Sequence, residues 1–199
     1  AAGVLTSRNI DELYIGLTSH WNPEEVVLGS QEHHPFLASD FPSLTDLDDV
    51  QKMMALDTIS YLPDDILVKL DRAAMGVSLE TRIPFLDHRV VEFAWQIPQS
   101  MKVKRNIGKW VLREILYKHV PKHLVDRPKM GFGIPLDDWL RGPLKTWAME
   151  QLNQKRISDE GFFNPKIIQD RMNEHFSEKK SWHHLLWNVL MFQAWLDAQ

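Results

Sequence analysis

The sequence predicts a mainly α-helical protein, and three observations carry that expectation. Apolar residues recur every three or four positions through most of the 199 residues, the spacing that puts them on one helix face. Strict period-two alternation is nearly absent, so strands are not expected to dominate. Eight Trp within a 44% hydrophobic composition supply bulky side chains for helix contacts. Charged residues make up 25%, an ordinary share for a folded chain, and disorder of the whole is not expected.

Taken in order, the first predicted helix runs from Asn9 to His20, with Ile10, Leu13, Tyr14 and Leu17 on one face and Asn9 as its cap. From His33-His34-Pro35-Phe36 through Phe41-Pro42 the chain reads as a loop. A second helix is expected over residues 44–61, where Thr45 and the acidic Asp48 three positions later give a capping-box form. A third follows over 64–75. There Pro63 fits the first turn, Leu62, Ile66, Leu67 and Leu70 would face a core, and Asp64 and Asp65 meet the positive end of the helix dipole.

Further helices are expected at 88–96, 107–119, 144–152, 165–176 and 182–198, the last with Trp182, Leu186, Val189 and Trp195 as core packing. Pro84, Pro98, Pro121, Pro128 and Pro135 punctuate the middle, so residues 80–143 read as mostly connecting surface around a compact base. There is no repeat, low-complexity tract or Gly/Ser-rich linker.

Composition also excludes function classes. A formal charge of −4 gives no general attraction to phosphate polymers, which argues against a dedicated nucleic-acid binder. No cysteine is present, so disulfides, thiolate metal sites and a cysteine nucleophile are excluded within these residues. The most apolar stretch, 185–196, is broken by Asn188 and Gln193 and falls short of the ~20 residues a membrane helix needs. The start, Ala1-Ala2-Gly3-Val4-Leu5, lacks a signal-peptide pattern and reads as a cut from a longer chain. His33-His34 and His183-His184 are adjacent pairs whose rings point different ways, so no metal site is expected from them.

Four groups of residues are candidates for chemistry. Asp64 and Asp65 are either dipole-compensating surface acids or the wall of a polar cleft. Glu80 and Arg82 flank Thr81 and project on one side of an extended segment, which suits an ion-pair cluster that locks a loop as well as it suits a binding role. From Trp95 to Arg113 there is no acidic residue, whereas Lys102, Lys104, Arg105, Lys109 and Arg113 all occur; this is a local anion site in an acidic chain or a solvated basic face. Arg127 and Lys129 lie in a loop with Gly131 and Gly133, able to approach an anion closely or simply to turn and pack Phe132 under Trp139.

The wording from Tyr61 to Asp87, including Leu62-Pro63-Asp64-Asp65 and Ser78-Leu79-Glu80-Thr81-Arg82-Ile83-Pro84-Phe85-Leu86-Asp87, resembles the synthetase domain of glutamine-dependent asparagine synthetases and their β-lactam-forming relatives. Gly108-Lys109 with Leu112-Arg113, then Pro121 to Arg127, then Arg127 to Pro135 follow in the family's order and spacing. The resemblance is strong over about residues 55–140, weaker to the end and vague before Ser43.

It implies a fold, namely the mainly α, helical C-terminal portion of an α/β adenine-nucleotide-hydrolase-like (ATP pyrophosphatase) synthetase domain with the sheet largely missing. Residues 1–42 would be peripheral helices and loop, 43–142 the active-site wall and 143–199 C-terminal helices. It implies a reaction in which ATP activates a carboxylate as an acyl-adenylate, with AMP and pyrophosphate released. Lys109, Glu80 and Asp65 would be the catalytic residues, with Lys109, Arg113, Arg82, Arg127 and Lys129 around pyrophosphate and substrate. In the β-lactam-forming relatives a glutamate matching Glu80 helps orient a proton-abstracting partner.

A whole enzyme of this kind also needs a glutaminase domain with its cysteine, a Ser-Gly-Gly-x-Asp-Ser pyrophosphate loop and an upstream acidic motif for magnesium, none of which occurs in these residues. The expectation is therefore a fragment, inactive alone and free of bound ligand. ATP and Mg belong to the full-length enzyme; aspartate, glutamine and ATP are its substrates, its compartment is cytoplasmic, and the fragment is prone to self-association. Two alternatives stand beside this reading: a relative amidating or cyclising another carboxylate, and a helical interaction module with no catalytic inheritance.

Overall fold

The computed structural model describes residues 6–31, 41, 43–128, 131 and 133–199. The expected loop at 33–42 and the contributions of Lys129 and Phe132 thus lie outside the described residues, apart from Phe41. The helices in chain order are α1 (Ile10–Thr18), α2 (Pro23–Val26) and α3 (Asp49–Ile59), a π-helical turn (Leu62–Leu67), α4 (Val68–Met75), a 3-10 turn (Pro84–Leu86), α5 (His88–Gln96) and α6 (Gln99–Lys102). A hairpin of β1 (Val103–Lys104) and β2 (Ile107–Gly108) precedes α7 (Trp110–Leu116), α8 (Lys122–Val125), α9 (Leu136–Arg141), α10 (Lys145–Gln151), α11 (Gln154–Glu160), α12 (Pro165–Phe176) and α13 (His183–Asp197). The chain divides into two compact units, residues 1–66 with 133–199, and residues 67–132.

The first unit holds the apolar core. Helix α13 buries Leu186, Val189, Leu190 and Gln193, an i, i+3, i+4, i+7 stripe, against α9, α10 and α12. Helix α12 answers with Ile168, Met172 and His175, and α9 with Leu136 and Leu140. Trp182 is half-buried against this cluster as expected, but Trp195 is 55% exposed, because its position falls on the far side of the buried stripe. Residues 26–28 run beside 162–164 through Leu28 N–H to Phe162 O (2.9 Å) and Asn164 N–H to Val26 O (2.8 Å).

Asparagine side chains cap four of these helices: Asn9, Asn22, Asn153 and Asn164 each accept from backbone N–H groups of the first turn. Helix α3 is capped by Asp48 with Gln51 in a reciprocal capping box rather than by Thr45, whose hydroxyl is occupied by Ser43 at 2.8 Å. The helix accordingly starts five residues later than its periodicity suggested. Tyr14 of α1 packs on α3, its hydroxyl donating to Asp57 (3.0 Å) and sharing a 2.7 Å hydrogen bond with Ser60.

The second unit has almost no interior. Among the described residues of 67–132 only Ala74 is buried, while Val77 (75%), Phe85 (63%) and Phe93 (63%) stand open to solvent. The core face expected for Leu70 is likewise 39% exposed, since no apolar layer covers it. Short helices separated by loops make up this stretch, as the spaced prolines led one to expect. No helix among the described residues is long and apolar enough to cross a membrane.

Candidate functional site

The junction from β1 to α7 is the most unusual backbone in the second unit. Val103 pairs with Gly108 and Lys104 with Ile107, leaving Arg105 and Asn106 as a two-residue turn with φ of 51° and 62°. Two positive φ values are what the twist of a tight hairpin needs, and Asn tolerates that region well. Lys109 then begins α7 with φ 58° and ψ 34°, again left-handed. Such a conformation costs a non-glycine residue about 1–2 kcal/mol. Gly108 itself keeps a negative φ, so the strain falls on the lysine rather than on the neighbouring glycine.

Arg113, one turn into α7, fastens this junction. Its backbone N–H bonds to Lys109 O (3.0 Å) and its Nε donates to Gly108 O (3.2 Å). Its Nη1 lies 2.5 Å from Asp126 Oδ1, an oxygen that also accepts from the Tyr117 hydroxyl at 2.7 Å. The Tyr117 hydroxyl and the Asp126 carboxylate together push the Arg113 pKa further up, keeping it a cation. Lys122 approaches the other carboxylate oxygen at 3.8 Å. Asp126 and Tyr117 were not singled out in the sequence; the i, i+4 relation of Arg113 and Tyr117 and the acid within the Pro121–Arg127 motif are the signals that could have found them.

Lys109 is exposed, and among the described residues no carboxylate pairs with it. Around it in sequence, Lys102 lies over Trp95 at 5.3 Å and Lys104 over Trp110 at 5.0 Å, so the rings hold two further ammonium groups by cation–π contact. Glu80 and Arg82 do project together: they form a 2.5 Å ion pair with side chains 69% and 86% exposed, a geometry worth about 0–1 kcal/mol in water. Asp87 caps α5 and takes a two-pronged contact from Arg89 (2.9 and 2.8 Å), which holds its carboxyl below the usual range. Arg127 is exposed at the end of α8.

Asp65 belongs to the first unit, within the π-helical turn, a form that recurs at functional positions in helices. It is half-buried where Asp64 is exposed, and its carboxylate, hydrogen-bonded to the Tyr61 phenol, pushes that phenol's pKa up.

A second polar cluster, not anticipated from sequence, ties α9 to α12 and α13. Asp137 accepts from the Ser181 hydroxyl, pairs with Arg141 at 2.9 Å, and has His183 Nδ1 at 3.4 Å and His175 Nδ1 at 3.8 Å. His175 is fully buried and its Nδ1 accepts the Trp182 N–H at 3.2 Å, which makes it the neutral Nε2–H tautomer. Burial pushes both histidines down, and the Ser181 hydrogen bond holds Asp137 low. Ser181 donates to the carboxylate and shares a 2.6 Å hydrogen bond with His183 Nδ1, so the grouping fastens α9 to the start of α13.

Comparison with known proteins places these residues in a family. Glutamine-hydrolysing asparagine synthetase 1 of Bacillus subtilis (strain 168) is 28% identical over 179 residues, covering 90% of this chain and 27% of that protein. A putative glutamine-hydrolysing asparagine synthetase of Mycobacterium bovis is 35% identical over 149 residues, covering 74% of this chain and 22% of its own length. Amidase chry2 of Gibberella zeae is 28% identical over 128 residues, covering 61% and 19%. The chain therefore spans about a quarter of the length of the first two relatives. No solved structure matches it. The family described as asparagine synthase matches residues 2–197, which contain the hairpin and all the helices described above, and the chain belongs to that family.

Proposed function

We propose that the chain forms one wall of the synthetase site of a glutamine-dependent asparagine synthetase, in which ATP converts the aspartate side-chain carboxylate into an acyl-adenylate and ammonia from glutamine displaces AMP. Its helices are then the carboxy-terminal part of an α/β adenine-nucleotide-hydrolase-like, ATP-pyrophosphatase type of domain, whose remaining parts are supplied by the rest of a longer protein. The reading rests on family membership over residues 2–197 and on the resemblance of the Asp65, Glu80 and Lys109 motifs.

The observation that carries it is Lys109: an exposed ammonium, with no carboxylate pairing among the described residues, on a left-handed residue inside a stretch free of acids. When the carboxylate attacks the α-phosphorus, the bond to the bridging oxygen breaks and negative charge grows on the departing pyrophosphate. A cation held in place there lowers the barrier without reorganising. Lys109 takes that part in our reading. In this reading Arg82 and Arg127 serve the same anion, Arg113 supports it from behind Gly108 and Glu80 meets the activated carboxylate, while Asp65 and Lys129 are given their parts by the resemblance alone. Magnesium, which the resemblance implies beside ATP, is not assigned to this chain, because the resemblance places its acidic motif upstream of these residues.

Titrating the full-length protein that contains these residues with inorganic pyrophosphate tests the assignment. Binding that weakens about tenfold or more in Lys109→Ala, the loss of one charge-assisted contact, is expected. Equal binding by wild type and Lys109→Ala refutes it. Incubating the chain alone with ATP, magnesium and aspartate is expected to release no pyrophosphate above background. A second reading, amide formation on a different carboxylate, is favoured by the match to the Gibberella zeae amidase chry2 and the Penicillium rubens amidase chyE. Extending the sequence to the rest of the substrate pocket separates the two.

A further inference from the structure

Arg113 is held by two of its three nitrogens: Nη1 points at Asp126 (2.5 Å), with the Tyr117 hydroxyl 3.4 Å away, and Nε at the Gly108 carbonyl (3.2 Å), while Nη2 makes no hydrogen bond among the described residues. The same Asp126 oxygen takes the Tyr117 proton at 2.7 Å, so carboxylate, phenol and guanidinium form a closed triangle. The one remaining link leads to the backbone immediately before Lys109. That is where the strain lies: Arg105, Asn106 and Lys109 all have positive φ, and a left-handed lysine persists only when its surroundings over-determine it.

We propose that Asp126 is a positioning residue for the anion site. By orienting Arg113, with Tyr117 bracing the pair, it seats Arg113 Nε on the Gly108 carbonyl and thereby locks Lys109 in the left-handed conformation that presents its ammonium to pyrophosphate. Arg113 is then a strut and not a ligand. The inference rests on Lys109 being the pyrophosphate cation, and it adds two residues, Asp126 and Tyr117, to that site. It also gives a sign that distinguishes the two possible parts for Arg113. If Asp126 only occupies a guanidinium that could otherwise bind the anion, removing its charge frees Arg113 and tightens binding; if Asp126 positions, removing its charge loosens Lys109 and weakens binding.

The test compares wild type, Asp126→Asn, Tyr117→Phe and Lys109→Ala in the full-length protein that contains these residues, by calorimetric titration with inorganic pyrophosphate, alongside the Cα and Cβ chemical shifts of Lys109, which report left-handed against right-handed backbone. Asp126→Asn is expected to weaken binding about tenfold, the size of effect of losing a hydrogen bond to a charged group, and to move the Lys109 shifts out of the left-handed range. Tyr117→Phe, which leaves the Arg113–Asp126 pair intact, is expected to do the same to a smaller degree, and Asp126→Glu to restore part of the loss.

Unchanged Lys109 shifts in Asp126→Asn, or pyrophosphate bound as tightly or more tightly than by wild type, overturn the proposal. Shifts of α4 and α5, which belong to the same unit as the substituted residues, that stay at their wild-type positions show that this unit is folded in the variants. Lys109→Ala separates the two levels. If it binds as wild type does, or if wild type does not bind, the site reading itself falls. If it loses binding while Asp126→Asn does not, only the strut falls.

Discussion

At the scale of single residues, Lys109 combines a conformational cost with a chemical role, and the two respond oppositely to glycine. Lys109→Gly relieves the left-handed strain, which stabilises such positions by about 1 kcal/mol or leaves them level, yet it removes the ammonium. The expected outcome is a chain at least as stable in urea with pyrophosphate binding lost; a destabilised Lys109→Gly would show that the lysine stem packs. Lys109 was legible in the sequence because an acid-free stretch and a family motif coincide there. Asp126 was not, because its approach to Arg113, thirteen positions away, depends on how the Pro121 turn folds the chain back.

At the scale of elements, long periodic segments were readable and short ones were not. Helices α5 and α12 occupy the residues their spacing indicated, each fixed by a side-chain cap, Asp87 and Asn164. Helix α7 starts three residues late because 103–108 turns into a hairpin whose strands are two residues long, too short to show alternation; Asn106 was the one cue. Helices α9 and α11 were missed because six and seven residues give fewer than two full turns over which a period can show.

The knot joining α9, α12 and α13 yields a pH prediction. His175 and His183 have folded pKa values below their ordinary 6.5, so the folded state binds fewer protons than the unfolded one and stability falls as pH drops below that value. Asp137, held below its ordinary 3.8, adds stability that is present above that value and is lost as pH falls further, through its depressed folded pKa. Both act in the same direction. Melting temperatures measured from about pH 7.5 down to about pH 5 are expected to fall, with a shallower slope in His183→Asn; a flat profile would contradict the assignment.

At the scale of the molecule, the two units differ in how they are held. Residues 133–199 bury a continuous apolar cluster, whereas among the described residues of 67–132 only Ala74 is buried, and Val77, Phe85, Phe93 and Leu124 are exposed. With ~25 cal/mol gained per Å² removed from water, a segment that removes so little has small stability of its own. Limited proteolysis read by mass spectrometry is therefore expected to cut within 67–132 before 133–199, and equal protection of both would refute this. Composition alone could not foresee the contrast, since both segments are similarly apolar and only the tertiary arrangement separates covered side chains from bare ones. The bare face has a consequence for any measurement made on the chain. Whatever covers it in the native form and not in the unfolded one raises apparent stability by mass action, so the midpoint recorded for residues 67–132 rises with the concentration of any such covering surface.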